Sequence, residues 1–142
     1  MTHLKSLALT ALLFATAGAL SLNAQITDQI KAHINHSFVI GDKALPPGEY
    51  TFRMEKNSNL NVMRVENQRG ENVAQFEVRE TTTDHRPRHS ELVFRKYGNT
   101  EFLRKIFEGG SRTGSEVTET SKQEASMVSQ GQHFMEHTEE QQ

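Results

Sequence analysis

The chain has 142 residues, with 16 Lys and Arg against 18 Asp and Glu, seven His and no Cys. This near-neutral balance, with basic residues scattered along the chain, does not suit a nucleic-acid binder. The absence of cysteine excludes thiolate catalysis, iron–sulfur clusters, Cys-based zinc sites, disulfides and lipid attachment through a cysteine.

Residues 1–24 read as a signal peptide. Lys5 supplies the positive charge, Leu7 to Leu20 is an almost unbroken apolar run, and Leu22-Asn23-Ala24 offers a small-residue cleavage context before Gln25. A run of about 14 residues is shorter than the roughly 20 that a membrane-spanning helix needs. Its apolar side chains Leu7, Leu9, Leu12, Leu13, Phe14 and Leu20 also surround every helical face, unlike an amphipathic core helix. The leader predicts an exported protein, periplasmic or extracellular, with cleavage after Ala24 and no membrane span in the mature form.

The mature chain is long enough for one domain, expected over residues 25–107. Ile30, Ala32, Ile34 and Phe38 alternate with polar neighbours and predict a first strand. Gly41-Asp42-Lys43 and Leu45-Pro46-Pro47-Gly48 predict tight reversals, because Pro sets φ and Gly permits a positive one. Tyr50, Phe52 and Met54 mark a second strand over 49–56, ended by the turn cluster Asn57-Ser58-Asn59. Residues 60–66 and 71–80 form a predicted hairpin about Asn67-Gln68-Arg69-Gly70, with Ala74, Phe76 and Val78 on one face.

Residues 81–89 are polar throughout and contain Pro87, so a mobile loop is expected there. Gly98-Asn99, flanked by 91–97 and 100–107, is a two-residue hairpin signal. Pairing outward from it places Tyr97 opposite Thr100, Lys96 opposite Glu101, Phe94 opposite Leu103 and Leu92 opposite Lys105. Phe94 and Leu103 then share the core side, while Arg95 and Arg104 lie over Phe102 and Val93 with their heads in water.

Residues 108–142 carry two basic against seven acidic side chains and few apolar ones. Gly109 to Ser115 reads as a flexible connector. Ser121-Lys122-Gln123-Glu124 has capping-box spacing and predicts a helix to about Ser129, completing a connector and short helix over 108–129. Residues 130–142 read as a solvated, disordered tail.

Chemical motifs are sparse. His133 and His137, four apart, would share a helical face beside Glu136, but the segment lacks an apolar scaffold. His33 and His36 on one strand would project to opposite faces. His85 and His89 flank Arg86 and Arg88, which repel a divalent cation and suit an anion or acidic partner. Glu77, Glu80, Glu91 and Glu101 read as solvated strand carboxylates instead of a glycosidase pair. No G-x-S-x-G or P-loop ending occurs, and Asn35-His36-Ser37 matches the N-glycosylation pattern that also arises by chance. No catalytic, cofactor-binding or metal residue is assigned on this basis, no cofactor is expected, and a non-enzyme is predicted.

Phe38-Val39-Ile40-Gly41-Asp42-Lys43 running into Leu45-Pro46-Pro47-Gly48-Glu49-Tyr50, then Leu92-Val93-Phe94 with Tyr97-Gly98 and Phe102-Leu103, resembles an uncharacterised family of small exported bacterial β-domain proteins over residues 26–125. The resemblance implies a signal peptide, a β domain and a short polar C-terminus with a Ser-Lys start like Ser121-Lys122, and it transfers no catalytic residue. Similar Leu-Pro-x-Gly-x-Tyr reversals occur in immunoglobulin-like and prealbumin-like sandwiches. The His- and Gln-rich extension from Gly131 departs from the family pattern. Together these readings predict an all-β domain of six to seven mostly antiparallel strands, a sandwich or a small partly closed barrel, with a short C-terminal helix. The expected function is a non-enzymatic exported binding or structural module of the cell envelope, facing a protein, glycan or envelope component. The alternative is a small barrel carrying an apolar ligand among Tyr50, Phe52, Phe76 and Phe94.

Overall fold

The computed structural model describes residues 29–56 and 60–142, so the predicted leader and the Asn57-Ser58-Asn59 turn lie outside the described residues. Among the described residues the fold is mostly β with one short helix. Its strands are β1 (Gln29–Ile34), β2 (Phe38–Ile40), β3 (Lys43–Leu45), β4 (Gly48–Lys56), β5 (Asn61–Asn67), β6 (Asn72–Thr82), β7 (Glu91–Tyr97), β8 (Thr100–Phe107), β9 (Thr113–Val117) and β10 (Met135–Glu140), with α1 (Lys122–Ser129) before the last strand. Among the described residues, no helix is long and apolar enough to cross a membrane.

The strands belong to one mixed, open sheet. Antiparallel ladders join β1, β4, β5, β6, β9, β8, β7 and β10 edge to edge. β2 lies parallel to β8 through Val39 and Phe102 and carries β3 on its outer edge. This corrects the expected six to seven strands and the two-sheet sandwich. The single predicted first strand breaks at Asn35–Ser37 into β1 and β2, and the supposed connector and tail contribute β9 and β10. β6 links the halves of the sheet because its first part pairs with β5 and its last part with β9.

One core lies on the inner face. Ile34, Phe38, Leu45, Tyr50, Phe52, Val65, Phe76, Leu92, Phe94, Leu103, Ile106 and Val117 are all buried in it, so every strand except β10 contributes. Alternation explains the selection: period-two apolar side chains share one face of each strand. The aromatic residues expected to line a cavity are packed against neighbours, with Phe38 edge-on to both Tyr50 and Phe94 at centroid distances of 5.3 and 6.0 Å.

The hairpin register follows the turn. Gly98 adopts φ +57°, and Tyr97–Thr100, Lys96–Glu101 and Phe94–Leu103 are partners, with Phe94 and Leu103 both in the core. A bulge between Val93 and Phe94 then moves Leu92 opposite Ile106 instead of Lys105. Beyond it Val93 meets Lys105, and Arg104 is freed from the expected partner.

Arg104 is also not a solvated head. The outer face of β7 and β8 is covered by α1, where Val39, Tyr97 and Phe102 form a second cluster against Met127. Arg104 is buried there and donates to the Val117 and Glu119 carbonyls at 2.9 and 2.8 Å. Ser121 caps α1 by accepting from the Glu124 amide at 2.8 Å. Glu124 then turns inward, 1% exposed, to accept from the Tyr97 hydroxyl at 3.2 Å and pair with Arg95 and Arg104 at 3.5 and 3.7 Å. Burial pulls the Arg104 guanidinium below its ordinary value, and Glu124 opposes that shift.

Candidate metal centre

The segment expected to be a disordered tail is the strand that completes the site. β10 pairs with β7 so that His137 faces Phe94 and Glu139 faces Leu92. Directly opposed residues share a face, so β10 turns His137 and Glu139 toward the core side, where the other strands carry apolar groups. It contributes no residue to the core and no apolar alternation to its own sequence, Met-Glu-His-Thr-Glu-Glu. Its ladder and its polar side chains hold it.

Gln141, just beyond β10, bridges the two ends of the sheet. Its amide donates to the Ser90 carbonyl and its Oε1 accepts from the His33 amide, both at 2.8 Å. β10 is thereby brought beside the β1–β2 link, which carries His36.

Four side chains meet at this rim: His36 from the link, Glu101 from the start of β8, and His137 and Glu139 from β10. One nitrogen or oxygen from each lies within 4.8 Å of the others. His36 Nε2 is 2.6 Å from Glu139 Oε1 and 3.5 Å from Glu101 Oε2. His137 Nδ1 is 2.9 Å from Glu101 Oε2, and its Nε2 is 3.7 Å from Glu139 Oε1. A tetrahedron with metal–donor bonds of about 2.1 Å has edges of about 3.4 Å. With one ligand atom taken from each residue, His36 Nε2, Glu139 Oε1, Glu101 Oε2 and either nitrogen of His137, the separations run from 2.6 Å to at most 4.8 Å and so span that edge.

The surroundings fit such an ion. Glu101 is only 6% exposed although it is a carboxylate, which is costly without positive charge close by. Lys96 Nζ stands 3.5 Å from its other oxygen. His36 Nδ1 faces the Ser37 carbonyl at 3.1 Å, and a proton donated there leaves Nε2 as the lone-pair donor. The Phe94 ring floors the site, 5.0 Å from the His36 ring and 6.1 Å from that of His137.

The other histidines among the described residues go elsewhere. His33 contacts Glu49 at 2.5 Å, and His36 lies beyond the end of β1 instead of on the same strand. His85 sits between Asp84 and Glu91, which raise its pKa above the ordinary imidazole value chiefly through the Glu91 hydrogen bond. His89 contacts Glu140, apart from His85. His133 is exposed ahead of β10, and because His137 lies on a strand the pair shares no helical face.

Sequence reasoning therefore considered His36, His137 and Glu101 in the wrong company and set Glu139 aside with the tail. Two signals bore on the site. His137-x-Glu139 puts both donors on one face of any strand, and Glu101 shares parity with core-facing Leu103, a carboxylate where an apolar residue belongs. Comparison with family models, curated proteins and solved structures gives no match for this chain.

Proposed function

We propose that this chain is an exported, non-enzymatic binding module of the cell envelope whose ligand is a cation held at the His36–Glu101–His137–Glu139 rim. The observation that carries the reading is the convergence of two carboxylates and two imidazoles from three separate elements onto one point beside a packed core. Four protein donors complete a tetrahedral set, whereas catalytic ions keep a position open for water or substrate, so the arrangement favours holding over turnover. The leader and the family resemblance support export.

The apolar-carrier alternative draws less support. The hollow among Ile30, Phe52, Met54, Met63 and Ile106 is about 180 Å³, smaller than the roughly 300 Å³ of small-molecule pockets, and a larger one of about 460 Å³ is lined by polar side chains such as Lys31, His33, Glu49 and Glu140. The test is thermal denaturation of untagged protein, stripped with chelator, against Zn²⁺, Mn²⁺, Ca²⁺ and Mg²⁺ in turn. At least one cation raises the midpoint, by an amount that grows with the logarithm of its concentration above the dissociation constant. If none does, the reading falls.

A further inference from the structure

Resting on the cation reading, we infer that the ion is a divalent first-row transition metal of the zinc class, bound one per chain by His36, Glu101, His137 and Glu139. The donor set decides the class. Ca²⁺ and Mg²⁺ take six or more oxygens, including waters, and gain little from imidazole, whereas two nitrogens with two carboxylate oxygens match the borderline ions. With neutral imidazoles the two carboxylates carry two negative charges, which a divalent ion cancels. Lys96 supplies only a single positive charge from 3.5 Å to one side.

The site also carries the parts expected around a ligating imidazole. The Ser37 carbonyl orients His36, and the Phe94 edge limits water beneath the rings. Its ligands lie up to 103 positions apart in sequence, and β10, which carries two of them, adds no residue to the apolar core. A bound ion therefore cross-links the C-terminal strand to β8 and to the β1–β2 link. Metal binding and the docking of β10 share one free energy.

The experiment is equilibrium dialysis of the full, untagged chain against ZnCl₂, read by elemental analysis. It is repeated with CaCl₂ and followed by Co²⁺ loading to record the visible absorption of the ion. The expected result is one Zn²⁺ per chain, no displacement by excess Ca²⁺, and the intense visible bands of four-coordinate Co²⁺. His36→Ala and His137→Ala each weaken binding by a factor of about 100 or more, while His33→Ala and His133→Ala leave it unchanged. The Co²⁺ spectrum of the unaltered protein keeps the test decisive if a variant fails to fold.

Zn²⁺ retained at full affinity by the His36→Ala/His137→Ala double variant, or weak six-coordinate Co²⁺ bands, overturns the inference. Ca²⁺ bound as tightly as Zn²⁺ overturns it too, and in that case the cation reading survives. No binding of any ion removes both.

Discussion

Replacing Glu124 with Ala tests how the helix is seated. Glu124 is 1% exposed and is the anion for Arg104, which is itself buried, for Arg95, and for the Tyr97 hydroxyl. At 3.7 Å the Arg104 contact is too long for a good hydrogen bond, and Glu124 Oε2 and Arg104 Nε have no hydrogen-bond partner among the described residues. The attraction is therefore mainly Coulombic, about 4 kcal/mol at an effective dielectric of 20, offset by the desolvation of both ions. Removing the carboxylate leaves that desolvation uncompensated at Arg104 and strands the Tyr97 hydroxyl. The expected loss is about 3–5 kcal/mol, a large share of the 5–15 kcal/mol typical of a domain.

Glu124→Gln keeps an acceptor for Tyr97 and loses only the charge, so it costs about 2 kcal/mol. The double variant Arg104→Met/Glu124→Leu returns to within about 2 kcal/mol of the parent, the remainder being the Val117 and Glu119 carbonyls that lose their donor and the Tyr97 hydroxyl that loses its acceptor. Urea denaturation followed by far-ultraviolet circular dichroism measures all three. A cost below about 1 kcal/mol for Glu124→Ala, the range of an exposed ion pair, refutes the buried-anchor argument.

Both tyrosines, Tyr50 and Tyr97, have their hydroxyls pushed above the ordinary value of 10.0 by burial, and in Tyr97 the Glu124 charge adds to it. Their contribution to stability is full below pH 10 and is lost as pH rises through the folded values; absorbance titration at 295 nm should give midpoints above 10 that fall to about 10 in denaturant. His85, raised by Glu91 and Asp84, stabilises the fold below its unfolded pKa of about 6.5 and loses that contribution as pH rises past its folded value. An NMR titration shows its midpoint above 6.5 and Glu91→Gln moves it down; an unchanged midpoint removes the Glu91 assignment. A Cβ at Gly114 would run into the Ile106 carbonyl and the Phe107 ring, so Gly114→Ala lowers stability by about 1–3 kcal/mol. Gly70→Ala meets no such contact and serves as the comparison for backbone conformation alone, since Gly70 has φ +77°.

What could be read in advance was local. Gly98-Asn99 sets the β7–β8 register for the four residue pairs from Tyr97–Thr100 to Phe94–Leu103, and Ser121-Lys122-Gln123-Glu124 starts α1 where its spacing requires. Tyr50-x-Phe52 and Phe76-x-Val78 expose their inner faces by alternation alone. β9 and β10 were illegible because Thr-Gly-Ser-Glu-Val and Met-Glu-His-Thr-Glu-Glu carry almost no apolar alternation; they form because β6, β8 and β7 present free edges to them. The bulge at Val93 and Phe94 displaced Arg104 from the solvent position that an unbroken register implies. The four donors of the rim were illegible for a related reason. His36 and Glu139 meet only after β1 and β10 are placed at opposite ends of one sheet and its ends drawn together by Gln141.

X-ray absorption at the zinc edge of the untagged protein loaded with one equivalent of Zn²⁺ tests the rim most directly. The account predicts four light donors at about 2.0–2.1 Å, with the outer-shell scattering of two imidazole rings. That scattering must disappear in the His36→Ala/His137→Ala variant. A six-coordinate, oxygen-only shell, or an imidazole signal that survives the double substitution, would contradict it.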